Sequence, residues 1–185
     1  MKNLNQWYEK GMDYNEYTGQ MKRNKEEMLS IYGQFQLDRK QKDALQAVKE
    51  KNLRVIALTE DWCGDAMLNN PILMKIAEET RMNVRFLLRD ENLELMDQYL
   101  TNGKSRSIPI YIFIDRQGNE YAVWGPRAPE VQQSVDEERA KLPDLGAPDF
   151  KEKQIEMYRS MKKWFLEDRN VWKQVADSII ERICK

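Results

Sequence analysis

The sequence predicts an α/β protein in three layers, a four-stranded mixed sheet with helices on both faces. Three observations carry this. LRVIAL (53–58), VRFLL (84–88) and IYIFI (110–114) are short and apolar but for one arginine in each of the first two, with β-branched residues in each, as strands buried on both sides are. Helical segments fill the intervals after the first and second of them. Arg116-Gln117-Gly118-Asn119 then forms a turn between the third run and EYAVW (120–124), which makes the last two strands a hairpin.

In chain order, residues 1–50 read as a polar, helical N-terminal extension. Leu4, Trp7, Tyr8 and Met12 recur at helical spacing, as do Met21, Met28, Leu29 and Tyr32. Gly33 is expected to end that run, and Asp38 to cap a helix that turns Ala44, Leu45 and Val48 inward. The sheet domain spans 51–141. Its helices are expected from about Ala66 to Thr80, from Asn92 to Leu100 with Asn92 as N-cap, and from Arg127 to Lys141. Its first two strands, joined through a helix, should run parallel with a right-handed crossover. Residues 142–149, LPDLGAPD, are rich in Pro, Gly and Asp and read as a linker. In 150–185, Tyr158, Met161, Phe165, Trp172, Val175, Ile179 and Ile183 line one helical face, which predicts a C-terminal amphipathic extension of one long helix or a pair.

The 185 residues carry 30 basic and 31 acidic side chains, a net charge of −1, and no histidine. That balance offers no field to attract nucleic acid or an anionic membrane, so neither is expected as a partner. Without histidine the chain lacks the commonest general base and the commonest metal ligand, which excludes Ser-His and Cys-His hydrolases. Two distant cysteines do not make a zinc site, and no metal or other cofactor is expected. The longest apolar run, Ile108 to Ile114, is far short of the roughly 20 residues that span a bilayer. The N-terminal stretch has no apolar signal segment, and two cysteines make no disulfide framework. A cytoplasmic, reducing setting is therefore expected.

Chemistry concentrates in Trp62-Cys63-Gly64-Asp65-Ala66, between a buried strand and a helix. A cysteine there sits at the helix N-terminus, where unpaired N–H groups and the macrodipole favour a thiolate. Pro71 falls inside the following helix and should kink it. Ile108-Pro109, just before the third strand, is a candidate cis peptide.

WCGDA resembles the WCxxC motif of the thioredoxin family. Pro71, eight residues after Cys63, is similar to the family's helix-kinking proline, Ile108-Pro109 to its cis-proline, and RQGNEYAVWG (116–125) to its terminal hairpin and the glycine after it. The resemblance covers about Lys51 to Lys141, and the family's first strand is not evident. It implies a thioredoxin-like fold with Cys63 as nucleophile, and with Trp62, Gly64, Asp65, Ile108 and Pro109 around the substrate. Two departures bear on function. Ala66 replaces the second motif cysteine, so no CxxC disulfide forms. Ala57, six residues before Cys63, stands where the family keeps a buried carboxylate.

Two effects oppose each other at Cys63. The helix N-terminus lowers a thiol pKa, by about 0.3–1 kcal/mol when exposed and up to about 2 when partly buried. Glu60, Asp61 and Asp65 raise it, each by about 1 kcal/mol or less if exposed. A mildly lowered pKa is the expectation.

Two functions fit these residues. One is monothiol thiol–disulfide exchange by Cys63 with a protein or low-molecular-weight disulfide, resolved by an external thiol. The other is a redox-inactive binding module that docks partners through the Trp62–Pro109 face. Cys184 is either a remote resolving thiol or, more plainly, a small residue on an apolar helix face. Lys104, Ser105, Arg106 and Ser107 form either a solvated loop or a contact for an anionic ligand. Trp7, Trp164 and Trp172 would form an exposed groove if the C-terminal extension failed to dock. No pattern in the sequence fixes the oligomeric state.

Overall fold

The structure, a computed structural model, describes residues 3–185. The N-terminal helices are α1 (Asn5–Lys10), α2 (Tyr14–Gln20), α3 (Lys25–Gln34) and α4 (Arg39–Lys49). There follow β1 (Arg54–Thr59), α5 (Gly64–Thr80), β2 (Asn83–Leu88), α6 (Leu93–Met96), β3 (Ile110–Ile114), β4 (Glu120–Trp124) and α7 (Pro129–Ala140). The pair α8 (Phe150–Glu167) and α9 (Arg169–Cys184) closes the chain.

The strands form one sheet in the order β2–β1–β3–β4. β1 runs parallel to β2, through α5, and antiparallel to β3, which pairs antiparallel with β4. Alternate strand residues enter two separate cores, as the period-2 geometry of a strand requires. Val55, Ala57, Phe86, Tyr111, Phe113 and Trp124 join the larger core with α3, α4, α5, α7, α8 and α9. Ile56, Leu58, Leu87, Ile110, Ile112 and Ile114 join a smaller one, covered by Leu4 at the head of α1 and by Leu95 and Met96 of α6.

Apart from α1, which covers the smaller core, both extensions belong to the larger core rather than flanking it. Met28 and Ile31 of α3 and Trp172, Val175 and Ile179 of α9 are fully buried there. Trp172 stands edge-on to Phe35, ring centroids 6.5 Å apart, and its indole N–H donates to the Phe165 carbonyl at 2.7 Å. The Trp7–Trp164–Trp172 groove therefore does not exist. Trp172 is 1% exposed and Trp7 packs against the opposite core. Tyr158, expected in the apolar stripe, is half exposed instead.

Local signals fared unevenly. Asp38 caps α4 in a reciprocal box with Gln41 (2.9 and 2.8 Å). Gly33 does not stop α3, which runs on to Gln34. An exposed glycine near a helix end costs only about 1 kcal/mol, and the packing of Met28 and Ile31 overrides it. The helix expected to reach Leu100 ends at Met96. There the hydrogen bonds tighten to three-residue closures, Gln98 N–H to Leu95 and Tyr99 N–H to Met96, and release the chain into the loop before Pro109. Among the described residues no helix is long and apolar enough to cross a membrane.

Candidate functional site

Cys63 is the N-cap residue of α5, with extended backbone (φ −83°, ψ 121°) and a carbonyl that accepts the Met67 N–H at 3.0 Å. The loop that carries it is held on both sides. Asp61 accepts the backbone N–H groups of Lys22 and Arg23 at 2.7 and 3.1 Å, and its carbonyl accepts from Asn24 Nδ2 at 2.9 Å. The buried Glu60 accepts the Asp90 N–H at 2.9 Å. These two carboxylates are thus occupied with backbone, and neither figures among the groups that shift the thiol.

The sulfur faces the loop before β3. Cys63 Sγ donates to the Ile108 carbonyl at 3.5 Å, and the Ile108–Pro109 peptide is cis. Gly125 closes in behind. At φ +128° it lies in a region that L side chains avoid, and a Cβ there would stand 2.2 Å from the Pro109 carbonyl oxygen. Only glycine permits this approach. The next residue, Pro126, accepts from Asn69 Nδ2 of α5 at 2.9 Å. The strand-to-helix turn, the loop before β3 and the end of β4 therefore meet at one sulfur.

Asp65 is gripped by Arg127 through two parallel hydrogen bonds of 2.7 and 2.6 Å, both side chains only 13% exposed. Arg127 also donates to Gln132 at 2.9 Å. Burial pushes the Asp65 carboxyl up from its ordinary value, and Arg127 pulls it back. The fork geometry is that of a charged pair. Sequence reasoning missed Arg127, because nothing local marks an arginine that acts across 62 positions; its one clue was its place just after Gly125.

The expected lowering of the Cys63 pKa is overturned. Burial pushes the thiol up to about 11, and Asp65 adds to the rise. The N–H groups of Ala66 and Asp65 and the Arg127 guanidinium oppose this without prevailing. With 9% of the residue exposed, the helix terminus cannot offset desolvation. At pH 7 the thiolate is then roughly one part in ten thousand.

Beneath the thiol lies a buried chain of neutral groups. Asn70 Nδ2 donates to Thr59 Oγ1 at 3.0 Å, Tyr111 donates to Asn70 Oδ1 at 2.8 Å, and the Tyr17 hydroxyl meets Thr59 Oγ1 at 3.3 Å. Tyr111 lies directly across the sheet from Ala57. Burial drives Tyr17 up to about 12 and Tyr111 well above its ordinary value, so this chain stays neutral.

Two hollows open beside Cys63. The first, about 490 Å³, lies between Trp62, Cys63 and Arg127 on one side and Tyr158, Lys162 and Phe165 of α8 on the other. The second, about 410 Å³, is bounded by Trp62, Cys63, Arg89, Arg106 and Ile108. Trp62, 43% exposed, stands between them with the Arg89 guanidinium 4.9 Å from its ring centroid. Of the residues singled out from sequence, Trp62, Cys63, Gly64, Asp65 and Ile108 line these hollows, and Pro109 is buried behind Ile108. Arg106, from the loop read as solvated or anion-binding, borders the second hollow and is held by Asp97 at 2.6 and 2.8 Å.

Cys184 lies elsewhere. Its sulfur donates to the Ala44 carbonyl at 3.5 Å and lies near Lys51, beyond the start of β1, whereas Cys63 follows the end of that strand. The intervening strand is roughly 17 Å long. Among the described residues, no three metal-ligating side chains gather into a site.

A β2–β1–β3–β4 sheet flanked by helices, with a helix-capping cysteine set against an Ile-Pro loop, defines a thioredoxin-like protein with one motif cysteine. The family model described as Thioredoxin matches residues 11–140, and the chain belongs to that family. The match begins forty residues before the sheet domain as read from sequence. Among solved structures, the chain is similar to a protein of unknown function from Pseudomonas aeruginosa (TM-score 0.66, 15% identity, covering 97% of this chain and 98% of that one). It is also similar to an HIV epitope scaffold (TM-score 0.63, 15% identity, covering 96% and 98%). At that identity the likeness concerns the fold. A comparison with curated proteins finds no match.

Proposed function

We propose that this protein is a monothiol thiol–disulfide oxidoreductase with Cys63 as its nucleophile. The observation that carries this reading is the position of the Cys63 sulfur, 3.5 Å from the Ile108 carbonyl and at the rim of two hollows. In the reaction Cys63 attacks one sulfur of a disulfide. A new S–S bond forms, the old one breaks, and the departing thiolate takes up the proton that Cys63 loses, so no net oxidation occurs. Ala66 cannot resolve the intermediate and Cys184 lies at the far end of β1, so an external thiol must do so. A reducing, cytoplasmic setting goes with this reading, since the exchange needs Cys63 as a free thiol and an external thiol to resolve it. Trp62, Gly64, Asp65, Ile108 and Pro109 would surround the substrate.

The test is adduct formation. Cys184→Ser protein mixed with a small disulfide at pH 8.5 should gain one mixed disulfide by intact mass, and the Cys63→Ser/Cys184→Ser protein none. An unmodified Cys184→Ser protein after hours at that pH would sink the proposal. Neither protein should reduce insulin as a dithiol enzyme does, whereas Ala66→Cys should gain that activity from a negligible background.

A second reading, a redox-inactive binding module, draws support from the thiol pKa of about 11. It expects partner binding that persists unchanged in Cys63→Ser.

A further inference from the structure

The first hollow has a wall that the family match does not include. Residues 11–140 match the family, yet Tyr158, Met161, Lys162 and Phe165 of α8 form one side of the space over Cys63. Its volume of about 490 Å³ lies within the range for small-molecule sites, about 300–1,000 Å³. A flat protein surface approaching Cys63 from this side would have to pass the wall.

The charges in the hollow point to one kind of occupant. Arg127, Arg139 and Lys162 face a single carboxylate, Asp65, within a chain whose net charge is −1. Arg127 is committed to Asp65, and Lys162 is paired with Glu27 at the rim. Arg139 is exposed and, among the described residues, has no carboxylate within 4.0 Å, although its charge reaches Asp65. Two of the molecule's exposed large apolar side chains, Trp62 and Tyr158 (43% and 50%), border the same space. An aromatic pair, one uncommitted guanidinium and a nucleophilic sulfur together suit a small, flat, anionic molecule that contains sulfur.

We propose that the groove between Cys63 and α8 takes a small disulfide, or its thiol, bearing a carboxylate, with Arg139 holding the carboxylate and Trp62 and Tyr158 flanking the body of the molecule. This rests on the monothiol reading for the chemical step, Cys63–SH + R–S–S–R giving Cys63–S–S–R + R–SH. It does not rest on it for binding. Arg139 of α7 and Tyr158 of α8 then select the substrate, and the turn before α5 supplies the sulfur.

The experiment separates the two. In the Cys184→Ser protein, second-order rates are measured with the dianionic disulfide 5,5′-dithiobis(2-nitrobenzoate) and with the cationic disulfide cystamine, each divided by its rate with free cysteine. The anionic probe should be preferred at least tenfold. Arg139→Gln should remove most of that preference, while Arg116→Gln, on an arginine beyond the other end of the sheet, should leave it intact. Binding without reaction is read in Cys63→Ser/Cys184→Ser by tryptophan quenching with the unreactive thioether 5-(methylthio)-2-nitrobenzoate. Saturable quenching is expected, weakened about tenfold by Arg139→Gln. Absence of saturable quenching, a preference for cystamine, or indifference to Arg139→Gln overturns the proposal. Saturable quenching with an inert Cys63 upholds the groove and overturns the oxidoreductase reading instead.

Discussion

Cys63 and Cys184 sit beyond opposite ends of β1, and both direct their sulfur at a backbone carbonyl 3.5 Å away. Here the likeness ends. Cys63 is enclosed by the loop after β1, the loop before β3, Gly125 and the Asp65–Arg127 pair, and it borders two hollows. Cys184 is an exposed residue on the last turn of a helix, its thiol pushed up by partial burial and pulled back by Lys51 alone. Access and ionisation are therefore set against each other. The sulfur with a built surrounding is the one that burial keeps protonated, and the sulfur with none is the one solvent reaches.

The widest gap between the two should appear with pH. A thiol pKa of about 11 makes the alkylation rate of Cys63 climb about tenfold per pH unit, close to a thousandfold between pH 7 and 10, without a plateau until about pH 11. The sign follows from the thiolate being the reactive form and the raised pKa keeping it scarce below 11. Iodoacetamide kinetics on Cys184→Ser protein measure this curve. In the wild type at pH 7, peptide mapping should find Cys184 modified first. A plateau for Cys63 near pH 8 would remove the contrast.

Stability offers the next measure. Gly125→Ala forces a Cβ to within 2.2 Å of the Pro109 carbonyl at a φ of +128°, and should cost about 3 kcal/mol in chemical denaturation. Cys184→Ser, on the exposed turn, should fall within about 0.5 kcal/mol of wild type. Equal losses would mean that the backbone near Pro109 is free to yield.

The smallest effect is electrostatic. Asp65→Asn removes the charge that raises the Cys63 pKa and leaves Arg127, which lowers it. Alkylation of Cys63 at pH 7 should rise about tenfold, the equivalent of one pKa unit. An unchanged rate would assign the whole rise to burial.

Much of this molecule could be read from its residues. Apolar runs and one Gly-containing turn were enough for four strands, two parallel and two in a hairpin, because strand burial is written in composition. The cysteine, the Ile-Pro step and the glycine after β4 could be read because each sits at a fixed landmark. What was not legible came from groups that meet only in three dimensions. Arg127 reaches Asp65 across 62 positions, Tyr17 reaches Thr59 across 42, and Asp61 turns to Lys22 rather than toward the thiol. The sign of the Cys63 shift went wrong for the same reason. A helix terminus can be seen in sequence, but the depth at which it lies cannot.

Asp61 ties the loop that carries Cys63 to the N-terminal helices. Its carboxylate holds two main-chain N–H groups at the α2–α3 junction, and Tyr17 of α2 touches Thr59 at the foot of the same loop. A chain trimmed to begin at residue 51 would be a poor miniature of the whole. Trp62 and Cys63 would lose their moorings on that side and keep only those on the other, among them Glu60 on the Asp90 N–H and the Cys63 sulfur on the Ile108 carbonyl.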